Sequence, residues 1–186
     1  MTRRFLTATL TLLAGVFLGG CASLPDDAPV VENLDPQTGV TVARLGRPLE
    51  LYRESGRSAS GERFAFLGPF ETNQMGTREL FLWIALPMEN PGGSPTPTVL
   101  ADGVALELGE AGKSAEFAGL QQSPYKIPMS WIAMYYFRID ADTVAKLAAA
   151  RELRIRATDQ ARNGPLDLEY LVAPGADPRL TGFAAR

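Results

Sequence analysis

The sequence predicts a mainly β fold: a two-sheet antiparallel sandwich, with an immunoglobulin-like arrangement as one candidate topology, and one short helix near 141–151. Three observations predict it. From Val40 onward, short apolar or alternating runs are separated by Gly, Pro and Asn, the texture of a chain built from many short strands. Asp102-Gly103 sits in the middle of one such run, Thr98–Leu108, where it suits a tight type I′ turn. Only Asp140–Arg151 stands out with helical spacing.

The chain before that domain is of another kind. Arg3 and Arg4 are followed by an uncharged apolar stretch, Phe5 to Leu18, then by the small residues Gly19 and Gly20 and by Cys21. Charge, apolar core and small residues in that order are the layout of a secretory signal peptide. A spanning helix needs ~20 apolar residues, and this core is shorter and diluted by Thr7, Thr9 and Thr11. Leu18-Gly19-Gly20-Cys21 resembles the lipobox of bacterial lipoproteins, a resemblance confined to residues 1–23. It implies cleavage between Gly20 and Cys21, a diacylglyceryl group on the Cys21 thiol, and acylation of the new amino terminus. Several acyl chains on one residue make a stable anchor where a single chain holds only marginally. Ala22 and Ser23, rather than Asp, follow the cysteine. In that family this implies the outer membrane, with the domain in the periplasm. The expected organisation is a cleaved signal peptide over 1–20, a lipidated N-terminus and tether over 21–38, a sandwich over 39–175 and a tail over 176–186. Pro25, Pro29 and Pro36 with Asp26, Asp27 and Glu32 keep the tether non-helical and wet.

Within the domain the elements follow from local pattern. Val40–Leu45 and Leu49–Glu54 read as a first pair around Gly46-Arg47-Pro48, and Arg63–Phe70 as a strand with Phe64 and Phe66 on one face. Glu71–Arg78 reads as a polar connection. Glu79–Leu86 is apolar on both faces and belongs in the middle of a sheet. In the Asp102-Gly103 hairpin, Ala101 faces Val104, Leu100 faces Ala105 and Val99 faces Leu106. Tyr125–Ile139 reads as a long strand, broken near Pro128. The helix opens with Asp140 or Asp142 as N-cap and buries Val144, Leu147 and Ala148. The last two strands register with Arg156 opposite Asp167 and Arg154 opposite Glu169, which leaves one face charged and one apolar, around a loop at Asp159–Pro165. The tail wraps back through Leu180 and Phe183.

Composition narrows the chemistry. The chain has no histidine and one cysteine. Ser-His-Asp and Cys-His nucleophile systems are therefore excluded, as are the usual His/Cys zinc sites. No cofactor is implied. The net charge is −3, and loss of Arg3 and Arg4 with the leader makes it −5. A mildly acidic chain without basic clusters argues against nucleic acid as a partner.

The candidate sites are few. Trp131 and Tyr136, with Trp83 and Tyr135, could line a groove for sugar or peptide, because aromatics dominate binding hot spots. Core packing is the competing account, and Tyr136 lies on the less obviously buried face. Asn73 and Arg78, with Glu71 and Gln74, sit in the polar connection before the central strand, where a loop on a rigid scaffold can carry binding residues. Asp140, Asp142 and Asp159 could hold calcium, with helix capping as the simpler role for the first two. The expected function is a non-enzymatic binding or assembly module, held to the membrane through lipid on Cys21 and facing an envelope protein or cell-wall partner. The alternatives are a carboxylate-dependent cell-wall glycan hydrolase and a purely structural envelope lipoprotein.

Overall fold

The computed structural model describes residues 30–53, 64–87, 96–127, 132–161, 164–171 and 177–186, with the backbone alone over 159–168. Eleven strands and two helices lie within these residues. They are β1 (Val30–Leu34), β2 (Thr41–Leu45), β3 (Leu49–Tyr52), β4 (Phe64–Gln74), β5 (Thr77–Pro87), β6 (Thr96–Ala101), β7 (Val104–Ala105), β8 (Ala111–Gly112), β9 (Ile132–Ile139), α1 (Ala141–Ala149), β10 (Leu153–Ala161), β11 (Gly164–Leu171) and α2 (Pro178–Ala184). A short 3₁₀ turn spans Ala115–Ala118.

The fold is mainly β, as the sequence predicts, and its strands form one antiparallel sheet curled on itself. The hydrogen-bonded order is β7-β6-β10-β11-β3-β4-β5-β9-β8, and β2 joins β4 beside β3 and carries β1. Among the described residues the two limbs of the sheet meet through the pair Leu171 with Tyr52. Leu49, Leu51, Leu67, Leu82 and Ile84 from one limb and Val99, Ile155 and Tyr170 from the other, all essentially inaccessible, belong to one hydrophobic core. β5 lies between β4 and β9, and its residues 81–87 are all buried, which is why that run is apolar on both faces.

The Asp102-Gly103 hairpin has the predicted register: Ala101 pairs with Val104 and Leu100 with Ala105, and the Leu106 N–H donates to the Val99 carbonyl at 2.9 Å. Both turn residues take positive φ, 49° and 81°, as a type I′ turn requires. Asp140 caps α1, its carboxylate accepting from the Thr143 N–H at 2.7 Å. Val144 and Leu147 are buried.

Several expectations are corrected. The tether does not reach residue 38: Val30–Leu34 is a strand paired along its length with β2, and Glu32 forms an ion pair with Arg186. β2 and β3 do not pair with each other. Both run along the same edge of β4, with Arg44 opposite Phe70 and Leu49 opposite Leu67. Four residues thus oppose two, a bulge where the chain faces Pro69, which has no N–H to give a ladder. Residues 71–78 are no loop but the paired ends of β4 and β5, closed by Met75-Gly76 at positive φ.

The β10–β11 hairpin is in a register two residues away from the expected one: Arg156 faces Glu169 and Arg154 faces Leu171. A shift of two keeps every side chain on its face. Glu169 still receives both arginines, Arg154 at 3.0 Å and Arg156 at 3.3 Å. The pairing reaches Ala161 with Gly164, so Asp159–Ala161 and Gly164–Pro165 belong to strands. Lastly, the tail is a helix, α2, capped by Asp177 and started by Pro178, with Leu180 and Phe183 buried as expected.

Candidate functional site

Register places one set of side chains on a single face of the larger limb. Val42 faces Thr72, Arg44 faces Phe70, Phe70 faces Phe81, and Gly68, Trp83 and Tyr136 lie in a row. Directly opposed residues in an antiparallel sheet project to the same side. This face is therefore aromatic. Phe70 stacks on Phe81 with centroids 5.1 Å apart, and Tyr136 meets Phe70 edge-on at 6.3 Å.

The irregular segment 113–127 roofs it. Phe117 meets Phe81 at 6.1 Å and Tyr125 meets Trp83 at 5.1 Å, and Ala118 and Leu120 of the same segment are buried. Irregular backbone needs specific partners to hold it, and two side chains supply them. The Tyr125 hydroxyl donates to the Pro69 carbonyl at 2.5 Å and accepts from the Leu45 N–H at 3.2 Å, so one phenol ties off both sides of the bulge. Gly68 makes room for the ring: a Cβ there would lie 2.5 Å from its Cε2 and Cζ. The Arg44 guanidinium sits 5.5 Å from the ring centroid and donates to the carbonyls of Leu45 and Gly46 at 2.9 and 3.0 Å. Burial pushes the Tyr125 phenol well above its ordinary pKa, against the opposing pull of the Leu45 N–H and the charges of Arg44 and Arg179.

The second fastening is Asp35, in the turn between β1 and β2. One carboxylate oxygen accepts the N–H groups of Gln37 and Thr38 at 3.0 and 3.4 Å, and the other accepts the Gln121 N–H at 3.1 Å. The Gln121 bond, with those from Gln37 and Thr38, holds its pKa below the usual carboxylate value.

Between the Asp35 turn and the roof lies a groove of about 320 Å³, near the lower end of small-ligand sites at roughly 300 Å³. Val42, Leu34, Pro36 and Pro124 give it apolar walls. Asn33, Gln37 and Gln122 bring three carboxamides, and Arg44 and Lys126 bring two cations against the one acid, Asp35. Leu34 stands 63 % exposed at its mouth.

The residues singled out in the sequence are not brought together here. Tyr136 is only 1 % exposed and belongs to the aromatic layer, which corrects its place on a binding surface. Burial raises its pKa, while Ser123 and Trp83 lie near enough to pull the other way. Trp83 Nε1 and Ser123 Oγ, both shut from solvent, nonetheless fall short of hydrogen-bond geometry with any group of the described residues. Asn73 and Arg78 do meet, directly opposite each other at the β4–β5 tip, but both are engaged in closing it. Asn73 Oδ1 accepts the Gly76 N–H at 3.0 Å, and Arg78 pairs with Glu71 at 3.0 Å. Trp131, Gly20 and Cys21 lie outside the described residues. Asp35, Arg44, Tyr125 and Lys126 were not singled out. Asp35-Pro36-Gln37-Thr38-Gly39 is a turn signature that could have placed Asp35. Pro124 and Pro128 around Tyr125 argue against a strand there. No family model, curated protein or solved structure matches the chain.

Proposed function

We propose that this chain is a lipoprotein of the bacterial cell envelope, anchored to the outer membrane by acyl chains on Cys21, whose β domain is a non-enzymatic binding or assembly module for an envelope protein or cell-wall component. The observation that carries the proposal is Leu18-Gly19-Gly20-Cys21 at the end of a basic and then apolar N-terminal stretch, with Cys21 nine residues before β1 begins. Nine residues reach at most about 30 Å. A lipid on Cys21 would hold the domain close to the bilayer surface, with the β1 side of the sheet leading. The groove beside β1, with its walls fastened by Asp35 and Tyr125, gives such a module a surface formed in advance of binding. Glycan hydrolysis by two carboxylates needs a facing pair roughly 5–9.5 Å apart. Three cavities among the described residues hold one carboxylate each: Asp35, Asp102 and Glu79.

The test is an intact mass of the membrane-extracted protein beside a Cys21→Ala variant. The expected mass is that of residues 21–186 plus acyl chains, and the variant lacks the acyl increment. A retained leader or an unacylated chain would remove the anchor from the proposal. Photo-crosslinking in whole envelopes from Gln37 and Gln122 is expected to capture one discrete partner, and from Glu169, on the charged face of the other limb, none.

A further inference from the structure

The groove has a charge pattern opposite to that of the whole chain. The protein carries a net −3, yet the groove holds Arg44 and Lys126 against the single carboxylate of Asp35. These three charges are not equally available. Both oxygens of Asp35 are occupied by backbone N–H groups, from Gln37, Thr38 and Gln121. Arg44 is committed to the Leu45 and Gly46 carbonyls and to the Tyr125 ring. Lys126 is exposed and lines the groove, and no carboxylate of the described residues lies within ion-pair distance of it. Among the described residues it has no donor committed, whereas Arg44 has its Nη1 on two carbonyls, and it stands beside the neutral amides of Asn33, Gln37 and Gln122.

That combination suits one class of ligand. Primary amides both donate and accept, as a peptide backbone does in reverse. An ammonium supplies three donors and no acceptor, and so selects an anionic oxygen. Apolar walls of Val42 and Leu34 favour an aliphatic neighbour. We propose that the groove binds an extended peptide segment carrying an acidic side chain next to an apolar one, with the carboxylate on Lys126 Nζ. This rests on the reading of the domain as a binding module and names the chemistry of its partner.

The test uses the full chain in neutral detergent micelles, titrated by fluorescence anisotropy with dye-labelled Leu-Asp-Ala-amide and its Leu-Asn-Ala-amide counterpart. The expected result is binding of the Asp peptide at least tenfold tighter than the Asn peptide at low salt. Lys126→Met, which keeps the stem and removes the charge, is expected to erase that difference. Equal affinity for the two peptides, an Asp preference that survives Lys126→Met, or no binding of either at millimolar concentration would each overturn the inference. The envelope crosslinking separates this failure from the wider one. A partner captured at Gln37 or Gln122 with no acid preference in the titration leaves the binding module standing and removes only its acidic ligand. An acid preference that depends on Lys126 but meets no crosslinked partner supports the groove chemistry and removes the envelope role.

Discussion

The two faces of the β4–β5–β9 sheet are both covered, but by different means. The inner face, with Leu67, Leu82 and Ile84, is closed within the core that the other limb shares through Val99, Ile155 and Tyr170. That cover is regular secondary structure, and its energy is spread over many interchangeable aliphatic contacts. The outer face, with Phe70, Phe81, Trp83 and Tyr136, is closed by the irregular segment 113–127. That cover depends on a few side chains, chiefly Tyr125 and Asp35. Losing one aliphatic contact from the inner face would weaken the whole domain by degrees. Losing one fastening from the outer face would release the roof, and with it one wall of the groove.

Removing the Tyr125 ring breaks this asymmetry most severely. Tyr125→Ala leaves a buried cavity against Trp83 and is expected to cost about 3–5 kcal/mol, as for other large aromatics. Gly68→Ala attacks the same contact from below, because its new methyl would sit where the ring lies. If the roof is a separate cooperative unit, both variants raise amide hydrogen exchange across 113–127 while the amides of β5 stay protected. Leu82→Ala, on the inner face, should lower protection everywhere. Equal loss of protection in roof and β5 for Tyr125→Ala and Gly68→Ala would show that the two faces are one unit, and the comparison would fall.

How much of this was legible in the sequence follows the same division. Period-two and apolar runs identified β5, the Asp102-Gly103 hairpin and the two faces of the last hairpin, because a repeating pattern reports repeating geometry. The slip of two residues in the β10–β11 register went undetected, since alternation is indifferent to shifts of two. The roof has no period. Tyr125 reads as one more strand aromatic, and its role appears only when the bulge opposite Pro69 brings the Leu45 N–H and the Pro69 carbonyl to the same point. Asp35 merely falls inside the expected tether, 21–38, and its role appears only when Gln121, 86 positions away, arrives beside it. Sites made by long-range meetings of single residues leave almost no local trace.

A milder change isolates the polar part of the fastening. Tyr125→Phe keeps the ring and strands the Leu45 N–H and the Pro69 carbonyl, at an expected cost of about 1–3 kcal/mol. The alkaline limb of stability gives an independent check. The folded phenol titrates above its ordinary value of 10.0, so its contribution is complete below that pH and is lost as the pH rises through the folded value. Denaturant midpoints of the wild type are expected to fall above about pH 10, and those of Tyr125→Phe to fall less. Parallel alkaline limbs in the two proteins would mean that the Tyr125 hydroxyl has no part in holding the bulge.

The smallest effect is expected at Asp35, which is half-buried and ties down one end of the roof. Its carboxyl titrates below the ordinary 3.8. The fastening is therefore complete above that value and is lost as the pH falls through the lower, folded one. The amide proton of Gln121 reports it directly. Its NMR shift is expected to titrate in the acid range below 3.8, while amides of β5 do not respond. In Asp35→Asn the acid step should vanish, and the Gln121 amide should take a single, upfield position at every pH because a neutral carboxamide accepts more weakly than a carboxylate. Global stability near neutral pH should barely move, since the inner face does not depend on this bond. A Gln121 shift that ignores acid would sever Asp35 from the roof. An acid titration shared by β5 would instead join the groove wall to the core that the comparison holds apart.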